Sequence, residues 1–239
     1  MFRLSNIILK DISLRFGTQT VFDRFSAEIG RGIVTALSAP SGSGKTTLLY
    51  LIAGLRKPDE GTLSGIEPTQ KISFVFQDDR LFPWLNVLHN AAIASERKAA
   101  ADMLLALGLN EEDFKKYPSE ISGGMRRRVA ITRALLASED IVLLDEPFSA
   151  LDYQTRLTVS DDIYRILRTQ HMSAVLVTHD ISEAISFCNR IIVLTSRPAS
   201  VKKTFDIHLT LDEDRTPFKA RMAPEFKDYF NEIWGELNV

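Results

Sequence analysis

Three short clusters of residues in this chain could bind and cleave phosphate esters. The first, Ala39-Pro40-Ser41-Gly42-Ser43-Gly44-Lys45-Thr46-Thr47, lies between a strand-like run and a helix-like one. In that setting successive backbone N–H groups and a helix N-terminus converge on an anion, the arrangement of a phosphate-cradling P-loop. Lys45 is placed to reach β and γ phosphates as a mobile cation, the Thr46 hydroxyl to ligate Mg²⁺, and Gly42 and Gly44 to admit the backbone closely. The second cluster is Asp145-Glu146-Pro147, at the end of the apolar run Ile141 to Leu144. Carboxylates leaving the C-terminal end of a buried strand face the ligand edge of an α/β sheet, so Asp145 can hold Mg²⁺ while Glu146 polarises an attacking water. The third is Ser122-Gly123-Gly124, heading a helix, where a hydroxyl and free N–H groups again suit a phosphate.

One position departs from the G-x-x-x-x-G-K-[ST] pattern: Ala39 stands where the first glycine usually sits. If the loop takes a positive φ there, alanine costs on the order of 1 kcal/mol.

With the three clusters in this order, the chain resembles the ATP-binding subunit of ABC transporters, whose LSGGQ-type signature matches Ser122-Gly123-Gly124 with Met125 in the variable place. The resemblance runs from about residue 5 to about residue 200 and implies ATP and Mg²⁺ as ligands. It implies nucleotide contacts from Ser41, Gly42, Ser43, Gly44, Lys45, Thr46 and Thr47, and from the signature residues Ser122, Gly123 and Gly124 of a second copy. Phe16 resembles the aromatic that stacks on adenine. Gln77 resembles the glutamine that contacts Mg²⁺ and senses the transport partner, His179 the switch histidine near the γ-phosphate, and Asp152 the end of the loop that crosses the dimer interface. Glu146, His179 and Gln77 are thus the expected catalytic set, and Thr46, Gln77 and Asp145 the expected metal set. Taken singly, Phe16 or His179 reads as a core residue or cap, and Asp152 as the N-cap of the helix after it. Arg127 departs from the family, which commonly carries glutamine there.

The elements that must position these residues alternate. Ile7 to Ile29, around Phe16-Gly17-Thr18, has the pattern of antiparallel strands. Buried-strand runs follow at Ile33 to Leu37, Ile72 to Phe76, Ile141 to Leu144, Ala174 to Val177 and Ile191 to Leu194. Helical patterns cover Lys45 to Leu55, Tyr153 to Gln170 and Ile181 to Phe187. This predicts an α/β P-loop NTPase core, a mostly parallel sheet with flanking helices, plus an N-terminal antiparallel β subdomain. Between Asp78 and Asp140 only helical pattern remains, in Glu96 to Leu107 and Arg126 to Leu136, so an inserted helical subdomain is expected over 78–140. The core spans 1–77 and 141–200, within one domain over 1–239. A C-terminal extension from 201 carries a strand-like stretch near Phe205 to Leu211 and a helix over Pro224 to Leu237. The helix's apolar stripe packs back on the core or docks a partner.

Composition narrows the classes. Hydrophobic residues make up 45% and charged ones 25% of the 239 residues, which excludes a disordered chain. Lys plus Arg is 29 against 31 Asp plus Glu, so no basic field marks nucleic acid as a partner. Arg126-Arg127-Arg128 and Arg133 form the one dense basic cluster, and they read as a solvated helix face with local salt bridges. The lone cysteine, Cys188, reads as a small apolar residue inside a helix. The longest apolar run, Leu48 to Ala53, is six residues against about 20 needed to span a bilayer, and no secretory signal is read at the N-terminus.

A transporter reading therefore requires separate integral membrane permease subunits. It also implies a head-to-tail second copy, an extracytoplasmic solute-binding protein, and a peripheral place on the cytoplasmic face of the cell membrane. The interval from Gln77 to Ser122 is too short for the coiled-coil arms of DNA-repair relatives. The stretch Phe76 to Val87, with Leu81-Phe82-Pro83-Trp84, is similar to the nitrate, sulfonate, taurine and bicarbonate importer group, as are Gly124-Met125-Arg126 and Ser196-Arg197-Pro198. Importers of thiamine or pyrimidine precursors share much of it, and a nucleotide-gated regulatory module without turnover is the alternative of another class. The apolar Leu81 to Trp84 stretch either joins a local core or receives a short helix of a membrane subunit.

Overall fold

The computed structural model describes residues 5–137 and 140–237; residues 1–4, 138–139 and 238–239 of the expected 1–239 unit lie outside the described residues. In chain order the elements are β1 (Ile7–Phe16), β2 (Gln19–Ile29), β3 (Val34–Ser38), α1 (Lys45–Ile52), β4 (Glu60–Ser64), β5 (Ile72–Val75), α2 (Val87–Ala91), α3 (Arg97–Ala106) and α4 (Gly123–Ala137). There follow β6 (Ile141–Asp145), α5 (Tyr153–Thr169), β7 (Ser173–Val177), α6 (Ile181–Phe187), β8 (Arg190–Leu194), β9 (Val201–Asp206), α7 (Pro217–Ala220) and α8 (Phe226–Leu237).

Strands β3, β6 and β7 are buried at every residue, because helices or a second sheet cover both faces. They form the centre of a six-stranded sheet of order β5-β6-β7-β3-β8-β9, parallel except for β9, which pairs antiparallel with β8. A second, three-stranded antiparallel sheet of order β2-β1-β4 lies beside it. The two-residue turn between β1 and β2 carries Gly17 at φ 59, the left-handed conformation such a turn needs at its first position. This is the P-loop NTPase core with an antiparallel β subdomain that the sequence predicts.

One apolar core fills the space between the antiparallel sheet, α1 and one face of the large sheet, with Phe22, Phe25, Leu48, Ile52 and Leu143 among its members. The other face buries Val142, Leu176, Ile163, Phe187 and Ile233 under α5, α6 and α8. A third, smaller cluster of Val87, Ala91, Ala100, Leu104, Leu109, Ile121 and Val129 holds α2, α3 and α4 together within 78–140.

The differences from expectation have local causes. Strand β4 has no apolar alternation: of its residues only Leu63 is not exposed, so nothing in the sequence marks it. Strand β9 lies at Val201–Asp206 rather than near 205–211, because Lys202, Lys203 and Thr204 face solvent on a sheet edge and hide the pattern. Helix α4 begins at Gly123, where the Ser122 hydroxyl accepts from the Met125 N–H at 3.2 Å and caps a start that two glycines disguise. Helix α1 stops at Ile52, short of Leu55. Cys188 is fully buried but follows α6 in an extended conformation rather than lying inside it. The tail helix packs back: Ile233 is fully buried, and Phe226, Tyr229, Phe230 and Leu237 rest on the core.

The arginines of α4 do not form a solvated face. Arg128 donates to the carbonyls of Leu107 and Gly108, Arg133 to those of Asp79 and Arg80, and Arg126 to that of Ile121. Arg127 is completely buried. Helix α4 packs against α2 and α3 on one side and β5 on the other, so most of its faces meet protein, and carbonyls at loop and strand ends accept its guanidinium groups in place of water.

Candidate functional site

The site lies at the C-terminal ends of β3, β6 and β7. Strand β3 delivers the chain into the loop Ala39–Gly44, and Gly44 ends the loop as the residue before α1 at φ 113. A Cβ on Gly44 would stand 2.6 Å from Val21 Cγ1, so the loop is pressed against β2 and tolerates no side chain there. Ala39 is not among the residues with positive φ, which removes the expected cost of alanine at that position.

Lys45 Nζ donates to the Ala39 carbonyl at 2.8 Å and the Pro40 carbonyl at 3.1 Å, so the side chain lies along its own loop. Burial lowers its pKa, opposed by the charges of Glu146 and Asp145. Thr46 Oγ1 donates to Asp145 Oδ2 at 2.8 Å, which joins the first turn of α1 to the end of β6 across 99 residues of sequence. Burial pushes the Asp145 carboxyl up, and the Thr46 bond and nearby cations pull it down. The Ser43 hydroxyl is buried without a partner, while Ser41 is exposed and Thr47 half-buried.

Glu146 leaves the strand in the left-handed region, at φ 47, and its N–H donates to the Val177 carbonyl of β7 at 2.9 Å. A non-glycine residue held there stores backbone strain, and it turns this carboxylate out of the sheet. Its Oε1 lies 3.4 Å from Nδ1 of His179, which follows β7 and is well exposed. Behind the pair is a cavity of about 70 Å³, large enough to hold water, lined by Glu146, Ser149, Arg156, His179, Asp180 and Glu183. A larger cavity of about 400 Å³ opens at the opposite end of the sheet, beside Gly32 and Val34 at the start of β3, and touches none of these residues.

The structure thus brings together Lys45, Thr46, Asp145, Glu146 and His179. Gln77, two residues past β5, joins them through its backbone: its carbonyl accepts from Arg127 Nη1 at 3.2 Å. Ser122, Gly123 and Gly124 stand apart, at the start of α4. Among the described residues no hydrogen bond ties them to the loop, and Gly124 lies against Leu151 and the Ala150 carbonyl. Asp152 caps α5, accepting from Thr155 N–H at 3.0 Å. Phe16 is about half exposed at the end of β1, with the Arg56 guanidinium 4.1 Å above its ring.

Sequence reasoning missed Arg127, Arg156 and Glu183. Arg156 pairs with Asp180 at 3.7 Å and donates to the Leu151 carbonyl at 3.2 Å, linking α5 to the His179 loop. Glu183 is buried in α6, accepts from Thr178 Oγ1 at 2.6 Å, and has its other oxygen without a partner. Burial pushes its carboxyl up to about 7. An acidic residue two positions into a seven-residue helix reads as a surface charge, and only the apolar Ile181, Ala184, Ile185 and Phe187 of the same helix hint otherwise.

The family model described as ABC transporter matches residues 22–149, from the hairpin through the P-loop and signature to just past Glu146. The chain belongs to the ABC transporter family. It is 42% identical, over 95% of its length and 91% of the relative's, to an uncharacterized ABC transporter ATP-binding protein of Bacillus subtilis (strain 168). An aliphatic sulfonates import ATP-binding protein of the same organism is 39% identical over 91% of this chain and 87% of its own. A bacterial ABC transporter cassette solved as a dimer superposes with a TM-score of 0.75 at 29% identity, covering 84% of this chain and 99% of that one. A post-hydrolysis state of that cassette, bound to ADP and Pi, superposes at 0.73. This chain is therefore an ATP-binding cassette with ATPase activity, similar to subunits of the sulfonate importer group. Among its described residues no helix is long and apolar enough to cross a membrane.

Proposed function

We propose that this cassette is the peripheral motor of an importer for a small organic anion of the sulfonate or taurine kind. The observation that carries the motor assignment is the joined set of Thr46, Asp145, Glu146 and His179 at three adjacent strand ends. Glu146 takes a proton from a water as the water oxygen attacks the γ-phosphorus, the bond to the bridging oxygen of ADP breaks, and phosphate leaves. His179 steadies the Glu146 carboxylate from 3.4 Å. Lys45 and the N–H groups of Ser41 to Thr47 would hold the phosphates once Lys45 turns from its own carbonyls, and Phe16 would offer its half-exposed ring to the adenine. The oxygens of Thr46 and Asp145, with the Gln77 side chain, are the hard donors Mg²⁺ takes. Mg²⁺ bound there would neutralise charge on the β and γ phosphates.

Ser122, Gly123, Gly124 and Asp152 stand at the N-terminal ends of α4 and α5, and serve the site of a second, head-to-tail copy. Trp84 is exposed and Phe82 partly so, their rings 5.3 Å apart, and they offer a face for a permease helix. The sulfonate class rests on the relative named for aliphatic sulfonate import and on the Phe76 to Val87 segment.

Mg²⁺-dependent hydrolysis measured against protein concentration tests the motor. The rate per subunit is expected to rise with concentration and to fall at least about 100-fold in Glu146→Gln; undiminished turnover in the variant removes Glu146 from its role. With permease and solute-binding partners reconstituted in vesicles, taurine or an alkanesulfonate is expected to stimulate hydrolysis. Stimulation by a thiamine or pyrimidine precursor alone overturns the solute class.

A further inference from the structure

Arg127 lies in the first turns of α4, and its surroundings are unlike those of an ordinary helical arginine. The side chain is 0% exposed. Its Nε donates to the Pro147 carbonyl at 2.7 Å, and Nη2 to the carbonyls of Asp145 at 2.8 Å and Glu146 at 2.7 Å. Its Nη1 donates to the carbonyl of Phe76 and, at 3.2 Å, to that of Gln77. The closest carboxylate, Asp79, is 3.5 Å away and contributes a weaker contact. A guanidinium has five N–H donors in a fixed planar fork, and here the fork meets five backbone carbonyls from two separate strand ends.

Those carbonyls belong to Gln77, Asp145 and Glu146, with Phe76 and Pro147 beside them. Their side chains are the ones assigned above to metal and water. One turn before Arg127 on the same helix stand Ser122, Gly123 and Gly124. The guanidinium thus touches the backbone of both expected catalytic segments while riding on the helix that follows the signature.

We propose that Arg127 is a positioning residue for hydrolysis: it fixes the backbones of Gln77, Asp145 and Glu146 relative to one another and couples any movement of α4 to all three. Lysine keeps the charge but presents its donors from a single point, and cannot bridge two strand ends. Glutamine offers two N–H donors, enough for two of the five carbonyls. Misplacement of a reacting group by about 1 Å costs up to about 100-fold in rate, so loss of the fork is read in turnover.

The inference rests on the catalytic assignment of Glu146, so Arg127→Lys, Arg127→Gln and Glu146→Gln are assayed beside the native chain. Each is measured for hydrolysis rate against ATP concentration, for binding of a fluorescent ATP analogue, and for thermal unfolding. Arg127→Lys is expected to lower kcat at least about ten-fold with KM and analogue binding within about two-fold, and Arg127→Gln to fall between it and the native chain. Native kcat in Arg127→Lys overturns the proposal. So does a loss of analogue binding or thermal stability that matches the loss of rate, since that is the mark of a merely structural arginine. If Arg127→Lys does not fold, Arg127→Gln is judged by the same criteria. If Glu146→Gln turns over like the native chain, the catalytic assignment fails; if it stalls while both Arg127 variants run at the native rate, Arg127 alone falls.

Discussion

Replacing Glu183 by glutamine is expected to remove a pH dependence of stability that the native chain carries between about pH 5 and pH 8. Burial pushes the Glu183 carboxyl from 4.5 to about 7; the Thr178 hydrogen bond opposes this, the charge of Asp180 adds to it, and Arg156 and Arg221 oppose it. The folded state therefore holds a proton that the unfolded state has released over that interval, and stability falls as pH rises through it, levelling off above about 7. A shift of that size corresponds to about 3 kcal/mol, of which about 2 to 3 kcal/mol falls between pH 5 and pH 8. Glutamine has the shape of the protonated acid: its amide oxygen can accept from Thr178 Oγ1 as Glu183 Oε2 does now, and its other end fills a place already unpartnered.

The assay is urea or thermal unfolding of both chains at intervals across that range. Asp79, Asp145 and Asp162 are also pushed up by burial, so any slope they add has the same sign. The difference between the two chains at each pH isolates Glu183. The variant is expected to gain on the native chain steadily as pH rises. Parallel curves across the whole range refute the reasoning, because they mean Glu183 is ionised in the folded state or not desolvated there. A functional reading accompanies it, since Thr178 Oγ1 also accepts from the Asp180 N–H at 3.1 Å and so braces the loop that presents His179.

Gly44→Ala forces a side chain into a left-handed backbone at φ 113 and against Val21 Cγ1 at 2.6 Å. It is expected to cost on the order of 1–2 kcal/mol in unfolding and to abolish binding of a fluorescent ATP analogue, and native affinity in the variant refutes the close fit. Trp84→Ala removes a ring that is 69% exposed, so stability is expected to stay within about 0.5 kcal/mol of native while recruitment to permease-containing vesicles is lost. Matching loss of ATP binding in that variant points instead to damage of the fold.

What was legible in the sequence was whatever the backbone itself fixes. Runs of Ile, Val and Leu buried on both faces can only be central parallel strands, so β3, β6, β7 and β8 lie within one residue of their expected limits. The strands that failed to register, β4 and β9, sit on sheet edges, where most side chains face water and alternation disappears. The P-loop, Asp145 and Glu146 follow central strands directly, and strand ends carry their residues to one sheet edge whatever the side chains do.

Arg127 and Glu183 were illegible for a different reason. Each is a charged residue whose burial depends on groups distant in the chain or on the opposite face of its helix: Arg127 is held by carbonyls 18 to 51 residues away. A charge in a helix is by default solvated, and periodicity cannot say otherwise, because burial of a charge depends on partners and not on neighbours in sequence. Three adjacent arginines made the default stronger, yet α4 is wedged between two bodies of the fold and spends each of them on carbonyls. The same packing explains why five backbone acceptors converge on one position of α4: they belong to the strand ends after β5 and β6, and a side chain that faces them from α4 needs donors long enough to reach, with arginine the one that reaches them all.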